Sequence, residues 1–395
     1  MCRASSIREI TSDPYLILKP CFVDSVAFAA MSLYLCVDCG GSKTSAVICD
    51  INGKVLGSSR GGPSNYAYLP LEAFLSAVTT TVNNVLKACI PFGVEPAELP
   101  LKDSSPFAAA WFGVSGVDSP SAIARLTPSL AALLAIPEGP RLIIANDTHL
   151  LAAPVRLYPD ISHAVAVIGG TGSIAVSFRD FGERLEELGR CGGWGWILGD
   201  EGGGYHVGKE AIRGVLMEHD KATVSSVHAE STLKTRLLEH FGISDVMELL
   251  TIVHHSDPLP HTTLGPEVPH YLRVLREQRI SSLSPLVFAA AFDDADALAL
   301  RIVRACADDL VARVAVLLGN SSDAAPRLVK AQDCIISFGG SLVGVDKYRT
   351  LILDKLADMG HVFRYVEFVN DAAMVGAIGL AAAARVSRAR HSQTG

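Results

Sequence analysis

The feature that most constrains the fold is a pattern that occurs twice in the 395 residues: an apolar strand, a glycine-rich turn and a second apolar strand. Continuous apolar runs are typical of buried strands. The runs are Leu33–Val37 and Ser45–Cys49 in the first copy, and Ala164–Ile168 and Ile174–Phe178 in the second. Alternating helical and strand patterns follow each copy. The sequence therefore predicts a duplicated α/β unit, with two lobes and a cleft between the two turns.

The spacing of apolar residues also predicts individual elements. Helices are expected over Leu71–Cys89 and Pro120–Leu134, and strands over Phe107–Val114 and Leu142–Ala145. Asn52-Gly53 predicts a type I′ hairpin turn. Gly319 predicts the end of a helix, since glycine often follows the last helical residue.

The composition excludes several classes of protein. Apolar residues make up 49% of the chain, enough for a large core, which argues against a mainly disordered protein. The net charge is −7 and no basic block is present, so no nucleic-acid partner is expected. The apolar run Val26–Val37 is too short to span a bilayer, so no membrane association is expected. Nine scattered cysteines favour a reduced, cytoplasmic protein.

We expect the following domain organisation. Residues 1–31 form a disordered leader, or the functional start is Met31. An N-terminal lobe spans residues 32–150 and includes a C-terminal helix over 371–386. A C-terminal lobe spans residues 151–370, with a helical insertion at about 219–330.

The two glycine-rich turns favour phosphate binding. Glycine lets backbone N–H groups approach phosphate oxygens, and nearby hydroxyls add donors. Asp38, at the end of a buried strand, is a candidate for holding a hydrated Mg²⁺. Each turn alone is also explained as a tight hairpin, but two in equivalent positions favour a polyphosphate held from both sides. The candidate phosphate-binding residues are Gly40, Gly41, Ser42, Lys43, Thr44, Gly170, Thr171 and Gly172.

Three further segments have patterns that suit a ligand site. Asp147 follows a strand, and is either a general base for an acceptor hydroxyl or a cap of the next helix. The segment Cys191–Tyr205 combines seven glycines with two tryptophans and two acids, which favours sugar recognition over a plain linker. Gly340 and Gly344 lie in a turn that either receives a purine or simply joins a strand to a helix.

Taken in order, these five elements resemble the sugar-kinase/actin/Hsp70 superfamily. Within it, the sequence is similar to the BadF/BadG/BcrA/BcrD ATPase family, and most similar to eukaryotic-type N-acetyl-D-glucosamine kinases, from about Leu33 to Ala384. The resemblance implies an α/β, two-lobed actin-like ATPase fold with duplicated ribonuclease H-like domains around a central cleft. It also implies ATP and Mg²⁺ as cofactors, phosphorylation of the sugar 6-hydroxyl, and a homodimer.

The resemblance also implies roles for single residues. Ser42 and Thr171 would contact the ATP phosphates, and Gly340 and Gly344 would line the adenosine site. Asp147 would be the catalytic base and Asp38 the carboxylate on the metal side, acting through water. The sugar-binding residues would be Asn65, Asp147, Gly193, Trp194, Gly195 and Asp200.

The sequence departs from the family pattern at several positions, and two other functions stay open. Cys39 replaces a glycine of the first turn, Ser42 replaces a threonine, and His206 stands where an aromatic residue is common. An ATPase activator of a 2-hydroxyacyl-CoA dehydratase or benzoyl-CoA reductase would need two cysteines per chain for a shared [4Fe–4S] cluster, and Cys191 has no nearby partner. A non-catalytic nucleotide or sugar sensor on the same fold is the third possibility.

Overall fold

Two β-sheets with the same topology form the frame of the protein. The structure, a computed structural model, describes residues 8–9, 32–89, 97–102, 104–182, 184–225, 230–259, 265–320 and 327–393. The first sheet has the order β4-β3-β2-β5-β6. Its strands are β2 (Leu33–Cys39), β3 (Thr44–Cys49), β4 (Val55–Gly61), β5 (Phe107–Val114) and β6 (Leu142–Ala145).

The second sheet repeats this arrangement. Its order is β1-β11-β10-β7-β8-β9. Its strands are β1 (Arg8–Glu9), β7 (His163–Gly169), β8 (Ser173–Asp180), β9 (Leu185–Gly192), β10 (Cys334–Gly339) and β11 (Tyr365–Phe368). In each sheet a three-stranded antiparallel meander continues into parallel strands, β2-β5-β6 in one and β7-β10-β11 in the other. The predicted duplication is therefore confirmed at the level of strand pairing.

Helices cover both sheets. The helices of the first half are α1 (Leu71–Cys89), α2 (Pro120–Leu134) and α3 (Thr148–Ala152), followed by a 3₁₀ turn over Ala153–Leu157. Those of the second half are α4 (Gly204–Val224), α5 (Thr232–Phe241), α6 (Glu248–His254), α7 (His270–Arg273), α8 (Arg276–Ser281), α9 (Ser284–Phe292), α10 (Ala297–Val316), α11 (Asp346–Asp358) and α12 (Ala372–Gln393).

The apolar core lies in three layers. One cluster packs α1 and α2 on the outer face of the first sheet, and a larger one packs the helices of the second half on the second sheet. The third lies between the lobes, where α3 and α12 separate the inner faces of the two sheets. Cys36 and Trp111 of the first sheet and Val176 of the second belong to this middle layer, and all are buried. The layer places α3, which follows Asp147, between the two lobes.

Three sequence expectations are corrected by the structure. The sequence does not predict strand β9, because three charged residues and two glycines interrupt its apolar positions. The turn after β3 is not type I′: Gly53 has a φ of 82°, but Asn52 is not among the described residues with positive φ, and Gly53 N–H donates to the Asp50 carbonyl. Helix α10 ends at Val316, and Leu317 caps it in a right-handed conformation, so Gly319 does not terminate it.

The two ends of the described chain lie against different sheets. Strand β1 pairs in parallel with β11, whereas the rest of the predicted leader, residues 1–7 and 10–31, lies outside the described residues. Helix α12 packs on β2 and β3 of the first sheet. In the described part of the chain, its segment Ala372–Arg390 alone is long and apolar enough to cross a bilayer by length and composition, and it forms part of the layer between the lobes.

Candidate active site

A cavity of about 400 Å³ opens between the lobes where strands of both sheets end. Asp38 and Lys43 from the first glycine turn line it together with Asp147. The opposite wall comes from the second lobe, including Ile168 at the end of β7 and Gly340 after β10. Equivalent strand ends of the two halves therefore meet at one cavity, which is the usual place for a ligand in α/β sheets.

Three carboxylates line this cavity: Asp38, Asp147 and Asp371. Burial, then the nearby Asp147 charge, raises the pKa of Asp38 to about 7, and Lys43 acts in the opposite direction. Burial also raises the pKa of Asp147, although a hydrogen bond from Ser115 opposes the shift. Gathering like charges in a partly desolvated space is costly unless a cation or a proton is shared there.

Asp147 is not occupied as a helix cap. It lies at the position before α3, but its side chain makes no capping hydrogen bond. The Thr148 amide instead donates to Asn146 Oδ1 over 3.0 Å. The Asp147 carboxylate lines the cavity, and it also receives hydrogen bonds from Ser115 and from the Thr148 and Asp147 amides. Burial outweighs these bonds and raises its pKa, as suits a general base.

The first glycine turn is held by contacts at its base. Gly40 N–H donates to the Lys43 carbonyl over 3.0 Å, and the Ser64 amide donates to the Gly40 carbonyl. The Thr44 hydroxyl is fully buried and donates to the Gly62 carbonyl, so it stabilises the turn from inside. Gly41, Ser42 and Lys43 are exposed, which leaves their amide and hydroxyl groups open for a ligand.

The second glycine turn is anchored to the start of α4. Gly204 N–H donates to the Gly170 carbonyl and Tyr205 N–H to the Thr171 carbonyl. Thr171 is exposed at the tip. Neither Ser42 nor Thr171 lines the 400 Å³ cavity. The base of the second turn lies close to it, because Gly340 lines the cavity and a Cβ on Gly340 would lie 2.6 Å from the Gly169 carbonyl oxygen.

The residues of the expected sugar site lie on both lobes. Asn65 is next to the first turn and the end of β5, since a Cβ on Gly116 would lie 2.7 Å from its Oδ1. Asp200 belongs to the second lobe, where its Oδ1 accepts a hydrogen bond from the Ser173 amide over 3.2 Å. It is buried at a φ of 63°, a strained conformation for a non-glycine residue.

The glycine- and tryptophan-rich segment is exposed between β9 and α4. Gly193 and Gly195 have φ values of 69° and 79°, so the chain turns sharply on either side of Trp194. The Trp194 side chain is 57% exposed. Arg190 ties this segment to the first lobe: it donates to the Gly193 carbonyl and, over 3.1 Å, to Asp118.

A second hollow, of about 460 Å³, continues from the cavity through Ser341, which lines both. Phe288 and Phe292 of α9 form an apolar wall opposite the turn after β10. Gly340 in that turn has a φ of 102°, and its carbonyl accepts a hydrogen bond from Gly344 N–H over 3.1 Å. Backbone on one side and aromatic rings on the other suit a flat heterocycle.

Sequence reasoning missed Asp371, although a signal was present. Asn370-Asp371 follows β11 as Asn146-Asp147 follows β6, so the pair is duplicated with the fold. It also missed Phe288, because nothing in a helical insertion indicates which side chains turn towards the cleft.

The carboxylates of the cavity fit a magnesium ion whose other ligands are water and substrate phosphates. Within the described residues, no cluster of three or more His, Cys, Asp or Glu could hold a metal ion. Mg²⁺ commonly keeps several waters and binds one or two carboxylates together with substrate phosphates. Asp38, whose pKa is raised to about 7 by burial and by neighbouring carboxylates, would ionise in the presence of such a cation.

Two relatives of the chain are named sugar kinases. The chain is 28% identical over 281 residues to the N-acetylmuramic acid/N-acetylglucosamine kinase of Clostridium acetobutylicum, covering 71% of this chain and 77% of that protein. It is 27% identical over 259 residues to the N-acetyl-D-glucosamine kinase of Dictyostelium discoideum, covering 66% and 71%.

Solved structures agree on the fold. Structures assigned as N-acetylglucosamine kinases from Chromobacterium violaceum and Porphyromonas gingivalis are both 20% identical, with TM-scores of 0.56 and 0.57. They cover 89% and 88% of this chain, and the chain covers 99% and 98% of them. The fold is therefore the expected two-lobed, actin-like one. The sequence profile of the BadF/BadG/BcrA/BcrD ATPase family matches residues 35–384, and the chain belongs to this family, whose members use ATP.

Proposed function

We propose that the protein is an ATP-dependent sugar kinase that phosphorylates the 6-hydroxyl of N-acetyl-D-glucosamine. The supporting observation is the cavity between the lobes, where Asp147, whose pKa is raised by burial, lies with Asp38 and Lys43. The named relatives act on N-acetylglucosamine, which supports the substrate class.

In the proposed reaction, Asp147 takes the proton from the sugar hydroxyl. As the proton moves to a carboxylate oxygen, the sugar O6 forms a bond to Pγ, and the bond between Pγ and the β,γ-bridging oxygen breaks to release ADP. A carboxylate whose pKa is raised by burial is a better acceptor than an ordinary aspartate. The base follows β6 and the first phosphate turn follows β2, on either side of β5 in one sheet, so both belong to the same lobe.

The two glycine turns are proposed to bind the phosphates. Backbone amides of Gly40, Gly41, Gly170 and Gly172, with the hydroxyls of Ser42 and Thr171, would donate hydrogen bonds, and Lys43 would add a positive charge. Asp38 would hold a Mg²⁺ through water, and that ion would neutralise charge on the phosphates. The adenosine would lie against Gly340 and Gly344, facing the two phenylalanines of α9.

The sugar is proposed to bind on the open side of Asp147. Asn65 and Asp147 would contact it from the first lobe, and Gly193, Trp194, Gly195 and Asp200 from the second. Because these groups lie on separate lobes, closure would complete the site and exclude water. We also expect a homodimer in the cytoplasm, a prediction that light scattering and cell fractionation would test.

The dehydratase-activator function is not favoured. Its shared iron–sulfur cluster needs two cysteine thiolates per chain. Of the described cysteines only Cys89 and Cys191 are partly exposed, and burial raises the pKa of Cys89 to about 12, which disfavours the thiolate. The relatives reported above are sugar kinases.

A substrate panel tests the proposal. ADP release is measured with ATP, Mg²⁺ and, separately, N-acetylglucosamine, glucosamine, N-acetylmannosamine and glucose. The proposal expects the highest kcat/KM with N-acetylglucosamine. Turnover with glucose alone, or with none of the four sugars, contradicts it.

A further inference from the structure

A second cavity between the lobes, distinct from the 460 Å³ hollow described above, has a volume of about 510 Å³. It borders α3, as the catalytic cavity does, but through other residues: Asp147 and Leu151 line the catalytic cavity, whereas Thr148 and His149 line this one. The two cavities share no lining residue, and none of the proposed sugar-binding residues lines the second. It is therefore distinct from the catalytic cavity and large enough for a small organic molecule, although Arg190, which lines it, also donates to the Gly193 carbonyl of the proposed sugar-binding segment.

Two side chains in this cavity have a buried N–H donor without a partner: Nε1 of Trp111 and Nη1 of Arg156. Nδ1 of His149 is also without a partner, but this ring has a hydrogen bond with the Asn146 backbone. The Trp111 residue is 1% exposed and the Arg156 side chain 2% exposed. A buried donor without an acceptor costs about 1–3 kcal/mol, so two at one cavity indicate that something with acceptor atoms occupies it.

The three groups are held in place by contacts that leave those atoms free. Arg156 donates through Nε to Asp180 over 3.4 Å, and its guanidinium carbon lies 5.4 Å from the centre of the Trp111 ring. The His149 ring packs edge-on against Phe178, with ring centres 4.7 Å apart. These contacts restrict the three side chains, and Trp111 Nε1 and Arg156 Nη1 each expose less than 1 Å², so a ligand oxygen reaches them only after a small side-chain shift.

The charges around the cavity are nearly balanced, so the preference for an anion rests on the unpaired Nη1 of Arg156. Arg156, Arg184 and Arg190 line the cavity together with Asp118 and Glu187, and Arg156 and Arg184 also lie within 4 Å of Asp180 and Glu186. Arg190 and Asp118 pair with each other over 3.1 Å. Burial lowers the pKa of His149 to about 4, so its ring is neutral at pH 7 and adds no positive charge. The rest of the lining is largely apolar, with four isoleucines among it: Ile123, Ile143, Ile144 and Ile174.

We propose that this cavity binds a small organic anion, whose phosphoryl or carboxylate oxygens accept hydrogen bonds from Arg156 Nη1 and Trp111 Nε1 while its carbon skeleton packs on the apolar wall. The guanidinium supplies a charge-assisted bond, the stronger of the two. Walls from both lobes would enclose the ligand. This site goes beyond the proposed kinase activity, and its test does not depend on that activity.

Calorimetric titration of the full chain tests this proposal. The protein is first saturated with a non-hydrolysable ATP analogue, Mg²⁺ and N-acetylglucosamine, so that the catalytic cavity is blocked. Glycerol 3-phosphate and succinate are then titrated separately, which distinguishes a phosphoryl from a carboxylate ligand. We expect at least one of them to bind with a Kd below about 10 mM.

Variants assign the binding to the cavity. Arg156→Gln should weaken it at least about tenfold, as loss of a charge-assisted bond implies. Trp111→Phe, which keeps a ring but removes the N–H, should weaken it about fivefold. Arg179→Gln, an exposed arginine of β8 outside the cavity, is the matched control and should bind as the wild type does. If Arg156→Gln fails to fold, Trp111→Phe decides.

Two results would overturn the proposal. One is that neither probe binds below about 10 mM, in which case the cavity holds water only. The other is binding that Trp111→Phe leaves unchanged, which would place the probe elsewhere.

Discussion

At the scale of single residues, Asp147 carries the proposed chemistry. Its carboxylate is uncapped, partly buried and beside two other aspartates, which together distinguish it from an ordinary helix-capping residue. The sequence alone could not make this distinction, because an aspartate before a helix fits either role equally well. Two observations favour the general base: Asn146 Oδ1 accepts the Thr148 amide, and burial raises the pKa of Asp147. Both depend on side-chain geometry that no sequence pattern contains.

We predict that Asp147→Asn lowers kcat at least about 100-fold, because the amide cannot accept the hydroxyl proton. The KM for ATP should change little, since the proposed phosphate ligands are untouched. Steady-state kinetics at saturating N-acetylglucosamine measure both. Asp358→Asn, an exposed aspartate at the end of α11, is the control. A variant with a near-normal rate would remove Asp147 from the mechanism.

We also predict that Asp38→Asn raises the Mg²⁺ concentration needed for half-maximal rate. The amide is a weaker partner for a hydrated cation than a carboxylate. The measurement is the rate against free Mg²⁺ at constant ATP. An unchanged Mg²⁺ dependence would show that Asp38 does not serve the metal side of the site.

At the scale of elements, strand-to-turn junctions hold the site together. The sequence predicts several element boundaries correctly: α1, α2, β5 and β6 begin and end as their apolar spacing predicts. It failed where tertiary contacts decide the outcome. Strand β9 forms because it pairs with β8, although its own residues lack an apolar run. Gly319 does not cap α10, since Leu317 already ends it.

The turn after β10 gives a sharp test of close packing. In Gly340→Ala the new Cβ would lie 2.6 Å from the Gly169 carbonyl oxygen, at a φ of 102°. Gly360→Ala is matched to it, because Gly360 also has a positive φ, 87°, but nothing lies within 4 Å of its Cβ position. The control isolates backbone strain, about 1–2 kcal/mol.

We therefore predict that Gly340→Ala destabilises the protein by about 2 kcal/mol more than Gly360→Ala does, because the second turn must shift. The KM for ATP should rise in Gly340→Ala alone. Urea unfolding and kinetics measure the two effects. Equal losses of stability would mean that the two turns can move apart to accept the new Cβ without a further cost in free energy.

A hydrogen bond from the backbone to helix α4 depends on pH and holds the segment next to the proposed sugar site. His206 Nδ1 accepts a hydrogen bond from Gly202 N–H over 2.9 Å, next to Asp200. Burial, then Lys209, lowers the pKa of His206, so the folded protein favours the neutral ring. Glu210 and Asp309, 3.9 and 3.8 Å from Nε2, oppose this shift.

The direction of the pH dependence follows from the lowered pKa of His206. The stabilising bond is present above the ordinary histidine pKa of about 6.5 and is lost as the pH falls through the lower, folded-state value, because a protonated Nδ1 cannot accept. We predict that the KM for sugar rises as the pH falls below the ordinary histidine pKa and through the lower value of the folded protein. His206→Phe should remove this dependence, as pH profiles would show. The same profile in both proteins would exclude His206 as its source.

At the scale of the whole molecule, duplication explains the arrangement of the site. Two copies of one strand order bring the equivalent ends of β2 and β7 to one cavity, and the pairs Asn146-Asp147 and Asn370-Asp371 follow equivalent strands. This much follows from repeated apolar runs and glycine turns in the sequence. The sequence does not show which residues of the two lobes contact each other, since this depends on how α3 and α12 pack between the sheets.

The most direct test of the account is to identify the products by ³¹P NMR after incubation with ATP, Mg²⁺ and N-acetylglucosamine. We predict one sugar 6-phosphate for each ADP formed, and none of either above background with Asp147→Asn. ADP accompanied by free phosphate, or a phosphate on another hydroxyl, would contradict a site in which two glycine turns present ATP to a 6-hydroxyl beside Asp147.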